Sequence, residues 1–181
     1  SASYADDKVA WYENDGNQMF TVRTISTTVD GARSVSAADI DGDGDLDVLS
    51  AGYGDGSIVS WHENDGEQSF TKHVLYSAAG DVDSVAAGDL DGDGDMDVLF
   101  ASIWDGYIAW YENDGNQNFA VHAITTASEV IHSALPVDVD GDGDTDVLAA
   151  SLSNDTVAWY ENDGSQNFAK HVITSTARGA C

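Results

Sequence analysis

The sequence predicts an all-β fold, a β-propeller of four-stranded antiparallel blades. About 3.5 blades fit in the chain, at a period of 49–50 residues. Three observations predict it. Trp11, Trp61, Trp110 and Trp159 recur at spacings of 50, 49 and 49. Each opens the same phrase, "ENDG" and then a phenylalanine, and an acidic phrase such as "DIDGDGDLDV" returns in the same phase. Between these markers lie short apolar runs with β-forming residues, and turns rich in glycine and aspartate punctuate the chain, which disfavours long helices. Four short strands per unit of about 50 residues is the signature of a propeller blade. A sandwich with similarly spaced strands is the rival, but the strict period favours radial copies.

The unit 33–82 shows the elements in order. "SVSAAD" (34–39) and "DVLSA" (47–51) are apolar and flank the glycine-rich acidic loop, so they read as strands A and B of a hairpin. "SIVSWHEN" (57–64) alternates and reads as strand C. "FTKHVL" (70–75) reads as the outer strand D, after a turn built on Asn-Asp-Gly, residues that tolerate positive φ. Units 83–131 and 132–181 repeat the pattern. Residues 1–32 form a partial blade: "SASYADDKVAW" aligns without a gap to residues 100–110 and 149–159, which puts Ser1 at the end of a strand B and leaves the outer strands C and D to follow. "STARGAC" (175–181) aligns with residues 27–33, which lead into a strand A. Both ends fall inside the repeat, so the chain is expected to be an excerpt of a longer array.

Composition narrows the function. Of 181 residues, 42% are hydrophobic, with five Trp, seven Tyr and five Phe, enough for a packed core rather than a disordered acidic tail. The formal charge is −27 with six Lys and Arg, so nucleic acid and anionic membrane surfaces are not expected partners. No run of 18 apolar residues occurs, and no membrane insertion is expected. The single cysteine, Cys181, cannot form an internal disulfide.

The acidic loops pose an electrostatic problem. Five carboxylates within nine positions repel one another, yet the loop is built three times. Glycines inside it allow tight turning, and aspartates at alternate positions then converge on one point. Such a cluster suits a hard dication, and Ca²⁺ takes six to eight oxygen ligands. Side chains at loop positions 1, 3, 5 and 9, with the carbonyl of position 7, make three expected Ca²⁺ sites. They are Asp39, Asp41, Asp43, Asp45 and Asp47; Asp89, Asp91, Asp93, Asp95 and Asp97; and Asp138, Asp140, Asp142, Asp144 and Asp146. An EF-hand is not expected, because Ser50, Phe100 and Ala149 stand where its bidentate Glu belongs and strands flank the loop. Zinc would call for His or Cys, and Mg²⁺ for fewer protein ligands in strict octahedral geometry.

With its "D-x-D-G-D-G-D-x-D-V" loops and "WYENDG…F" phrases, the chain resembles the FG-GAP/VCBS repeat family over essentially its whole length. The resemblance implies a calcium-binding propeller in a secreted or cell-surface setting, as in integrin α-subunit heads and many secreted bacterial proteins. The literal Phe-Gly…Gly-Ala-Pro phrase is absent, which favours the secreted microbial branch. The expected role is a non-enzymatic binding or adhesion module for carbohydrate or extracellular protein. The alternatives are a scaffold part of a polysaccharide-degrading enzyme of lyase type, or a purely structural array.

Outside the loops, the four repeated tryptophans read as inter-blade packing. Trp104 stands alone in one B–C loop and is a candidate ligand contact. His73, His122 and His171, with Arg23 in the fourth copy, share one position on the outer strand and read as polar edge protection. Glu13, Glu63, Glu112 and Glu161 read as turn-stabilising groups, and Asp7 as a surface-turn residue. His62 and His132 have no expected role, and no catalytic constellation stands out. A propeller avoids exposed edges by closing its ring, so self-association is expected, most simply as a homodimer completing a ring.

Overall fold

The computed structural model describes residues 1–53, 57–78, 81–103, 106–126 and 129–181, and Trp104 lies outside them. Every element among the described residues is a strand, turn or bend. The partial blade is a three-stranded sheet of β1 (Ala2–Ser3), β2 (Lys8–Asn14) and β3 (Phe20–Ser26). The first full blade holds β4 (Ala32–Ala38), β5 (Asp47–Gly52), β6 (Ser57–Asn64) and β7 (Phe70–Ala78). The second holds β8 (Val82–Gly88), β9 (Asp97–Ser102), β10 (Tyr107–Asn113) and β11 (Phe119–Thr125), and the third β12 (Ile131–Val137), β13 (Asp146–Ser151), β14 (Thr156–Asn162) and β15 (Phe168–Thr174).

Within each blade, sequence order is spatial order and every pairing is antiparallel. The register shifts at one repeated place in the outer pair, between Val9 and Ala10, Val59 and Ser60, Ile108 and Ala109, and Val157 and Ala158. Such irregularities bend and twist a strand. The innermost strands β4, β8 and β12 pack side by side, which sets strand A at the inner side of the array.

The blades are joined by apolar faces. Ile40, Leu49, Ala51, Val59 and Trp61 of the first full blade meet Val85, Val98, Phe100, Ala109 and Tyr111 of the second. The same positions one unit later, Leu90, Leu99, Ala101, Ile108 and Trp110, meet Ala134, Val147, Ala149 and Tyr160 of the third. Trp61 and Trp110 are each 1% exposed, as expected of inter-blade packing. Alternation along each strand thus serves two interfaces, one per face of the sheet.

The turn between strands C and D differs in detail from the sequence expectation. Positive φ falls on the glycine and, two residues on, on a glutamine: Gln18, Gln68, Gln117 and Gln166 at 63–66°. The aspartate instead accepts hydrogen bonds. Asp65 Oδ1 takes the N–H groups of Glu67 and Ser69 at 2.9 and 3.1 Å, an Asx turn that satisfies the backbone locally.

Candidate metal centres

Each acidic loop turns through left-handed conformations at two glycines; Gly42 and Gly44 have φ of +74° and +97°. That turning brings carboxylates from alternate loop positions together. Position 1 reaches across the loop, with Asp39, Asp89 and Asp138 Oδ2 accepting the N–H of Gly44, Gly94 and Gly143 at 3.0, 3.1 and 3.2 Å. Position 3 accepts from the backbone of position 5, and position 5 from that of position 7, as in Asp41 with Asp43 at 3.3 Å and Asp43 with Asp45 at 2.8 Å. Three carboxylates per loop offer oxygens within 4.8 Å of one another: Asp39, Asp41 and Asp43; Asp89, Asp91 and Asp97; Asp138, Asp140 and Asp146.

The two remaining kinds of position do different work. At position 7, the carboxylates of Asp45, Asp95 and Asp144 lie against the glycine of the C–D turn, so close that a Cβ on Gly66, Gly115 or Gly164 would meet Oδ2 at 2.4, 2.3 or 2.6 Å. At position 9, Asp47, Asp97 and Asp146 are fully buried. One oxygen of each accepts the N–H of loop position 2, Ile40, Leu90 or Val139, at 3.1, 2.7 and 2.9 Å. The other accepts the N–H of Asn64, Asn113 or Asn162 at 2.8–2.9 Å. A buried carboxylate with both oxygens engaged fastens the loop to strand C.

Those asparagines belong to the loop architecture, whereas the sequence places them only at the end of strand C, where the Asn-Asp-Gly turn begins. Asn113 also donates from its side chain to the carbonyls of Met96 in its own loop and Ile40 in the preceding blade's loop. Asn162 repeats this with Thr145 and Leu90. The signal was present in the sequence as the recurrence of a "WYEN" or "WHEN" asparagine 24 or 25 positions after the first aspartate of each acidic loop.

The electrostatics leave the loops short of positive charge. Burial, reinforced by neighbouring carboxylates, raises the pKa of Asp41, Asp91 and Asp140. Burial pushes Asp97 up to about 7, aided by Asp91 and Asp89 and opposed by the N–H donors of Asn113 and Leu90. Asp39 Oδ1 is buried without a hydrogen-bond partner. Converging oxygens, no nitrogen or sulfur donor, and an orphaned carboxylate oxygen fit a hard cation of calcium type.

Other titratable groups are paired in ways that repeat with the blades. His73 Nε2 lies 2.7 Å from Glu63 Oε2, and its ring stacks on Trp61 with centroids 4.5 Å apart. His171, Glu161 and Trp159 repeat it, as do His122, Glu112 and Trp110, while Arg23 pairs with Glu13 at 2.7 Å. The glutamates are thus cross-strand partners of the outer strand rather than turn supports. On the innermost strands, Asp83 accepts from Arg33 at 2.6 Å and lies 2.7 Å from His132 Nδ1, bridging three blades. His62, buried against Ser50 at 2.9 Å, is a core residue. Asp7 is not an idle turn residue either, because its Oδ1 accepts the N–H of Gly31 at 3.0 Å.

No curated protein matches the chain. The FG-GAP-like repeat family matches residues 1–50, 39–100, 96–149 and 138–180. These overlapping segments run through every acidic loop and every "ENDG" turn, and the chain therefore belongs to the FG-GAP-like repeat family.

Proposed function

We propose that the chain is a calcium-stabilised propeller module of a secreted or cell-surface protein, acting in non-enzymatic binding or adhesion to carbohydrate or protein. The observation that carries the calcium reading is the threefold convergence of carboxylates on glycine turns, with Asp39 Oδ1 buried and unpartnered. Calcium would be held by the side chains at loop positions 1, 3, 5 and 9 and the carbonyl at position 7, and would supply the charge that the clustered carboxylates lack. An extracellular setting suits such sites, because millimolar calcium fills even weak ones. The non-enzymatic reading is supported by the Glu–His–Trp sets, which recur from blade to blade as architecture does, whereas a catalytic group is needed once.

Melting curves in calcium and in excess EGTA test this, with a glycan array probed in calcium for the binding role. Ligand at about 100 times its Kd adds about 2.7 kcal/mol per site, so chelation should lower Tm sharply. Asp41→Ala should weaken calcium binding, while Asp6→Ala, at an exposed carboxylate, should leave it unchanged. A melting curve indifferent to EGTA would remove calcium from the proposal.

A further inference from the structure

Loop position 2 is held from both sides. Ile40 stands between Asp39 and Asp41, and Leu90 between Asp89 and Asp91, the first two carboxylates of their loops. The N–H of each donates to the buried position-9 aspartate of its own loop, Asp47 or Asp97. The carbonyl of each accepts from the next blade, Ile40 from the Asn113 side chain and Leu90 from the Asn162 side chain, both at 2.8 Å. A peptide unit is planar and carries the Cα atoms at its two ends. Fixing both peptide units of Ile40 therefore places the backbone of Asp39 and Asp41, and Leu90 does the same for Asp89 and Asp91.

The two asparagines join the loops in series. Asn113 N–H donates to Asp97 Oδ1 at 2.9 Å, and Asn162 N–H to Asp146 Oδ1 at 2.8 Å. One path of hydrogen bonds thus runs from Asp47 in the first loop through Asn113, Asp97 and Asn162 to Asp146 in the third. Its aspartates are 0% exposed and its asparagines 1% and 2%, so bulk solvent does not compete for these links. A second thread reaches the first loop from the same neighbour. Gln117, in the C–D turn that follows Asn113, donates from Nε2 to Asp41 Oδ2 at 3.4 Å.

Resting on the calcium reading above, we propose that the acidic loops bind their ions cooperatively, each ion raising the affinity of the loop in the adjacent blade. Asn113 couples the first site to the second, and Asn162 the second to the third. Without an ion, the carboxylates of the second loop repel one another and pull against Asp97. An ion there holds Asp97 in place, and with it Asn113, whose amide then fixes Ile40 and sets Asp39 and Asp41 for the first ion. The effect is mutual, because coupling of two binding equilibria is reciprocal.

Calcium calorimetry on a set of variants tests this. Asp140→Ala disables the third site and leaves an adjacent pair. Asp41→Ala/Asp140→Ala and Asp91→Ala/Asp140→Ala leave the second or the first site by itself. None of the three substituted aspartates lies on the path, and none is buried. The pair should bind about fivefold more tightly than its two single sites together predict, the lower end of typical coupling. Asn113→Ala in the Asp140→Ala protein should abolish that excess. Asp91→Ala keeps the first and third sites with a disabled loop between them, and its isotherm should equal the sum of its single sites, the third read from Asp41→Ala/Asp91→Ala. An adjacent pair that equals its sum overturns the coupling while leaving the calcium reading intact. A wild-type chain that binds no calcium overturns both. An equal excess in Asp91→Ala would trace the effect to folding of the whole chain and overturn the path, as would an excess that survives Asn113→Ala. The adjacent and separated pairs all retain Asn113, so their comparison decides the matter even where Asn113→Ala does not fold.

Discussion

The side chain of Asn113 donates to the carbonyl of Ile40, 73 positions earlier, at 2.8 Å, while its backbone N–H donates to Asp97 Oδ1 at 2.9 Å. One residue therefore fastens two acidic loops in two blades. It is 1% exposed, so these hydrogen bonds are made out of contact with bulk solvent. Local turn chemistry alone would not bury an asparagine here; the burial follows from its position between loops that must keep their shape.

Asn113→Ala should consequently lower stability well beyond the loss of one hydrogen bond. It leaves the Ile40 and Met96 carbonyls without this donor in a closed interface, and an unsatisfied buried acceptor costs about 1–3 kcal/mol. The exposed Asn116→Ala should stay within about 0.5 kcal/mol of wild type. Urea unfolding in calcium measures both, and equal midpoints would show that the clamp does not hold the blades.

Much of this was legible in the sequence for a simple reason. Strand identity, blade period and loop position recur in phase, so each reading was checked by its copies. Asp39, Asp89 and Asp138 fell at one loop position because the repeat itself aligns them, and Trp61 and Trp110 were legible as packing on the same grounds. What stayed hidden was pairing between copies. Asp83 joining Arg33 and His132 spans 50 and 49 positions, and nothing in one unit says that an aspartate there faces an arginine of one neighbouring blade and a histidine of the other. The positive φ at Gln117 was equally hidden, because the turn's strain falls two residues beyond the glycine, where the Asx hydrogen bonds of Asp114 steer it.

His62 should give the protein a pH limit of its own. Burial, and to a lesser degree the charges of Lys72 and His73, lowers its pKa from 6.5 to about 4. The unfolded chain therefore binds this proton more readily than the folded one. The stability involved is fully present above pH 6.5 and is lost as pH falls toward 4, amounting to about 3 kcal/mol at most. His62→Tyr supplies the residue found at this position in the other blades; in the third, Tyr160 is accommodated with Ala149 in the place of Ser50. Urea titrations from pH 7 to pH 4 should show the wild type losing more stability than His62→Tyr. Parallel curves would mean that His62 is protonated in the fold without cost.

Gly16 and Gly66 offer a matched pair that isolates one contact. Both occupy the same place in the C–D turn, with φ of +81° and +73°. An alanine at either pays the same left-handed penalty, about 1–2 kcal/mol. Around Gly16 a Cβ meets nothing within 4 Å, whereas at Gly66 it meets Asp45 Oδ2 at 2.4 Å and Cγ at 3.2 Å. Asp45 must then swing aside, and its main chain carries the carbonyl that the proposed calcium site uses at position 7. Gly66→Ala should cost about 1 kcal/mol more than Gly16→Ala, the scale of a local overpacking strain. It should also weaken calcium binding, which Gly16→Ala should not do. Asp45→Ala in the Gly66→Ala background removes the obstructing carboxylate while leaving the carbonyl, so the excess cost should disappear. Calorimetric calcium titration and urea unfolding of the four proteins decide it: an excess that persists without the Asp45 side chain would place the strain in the backbone of the turn instead.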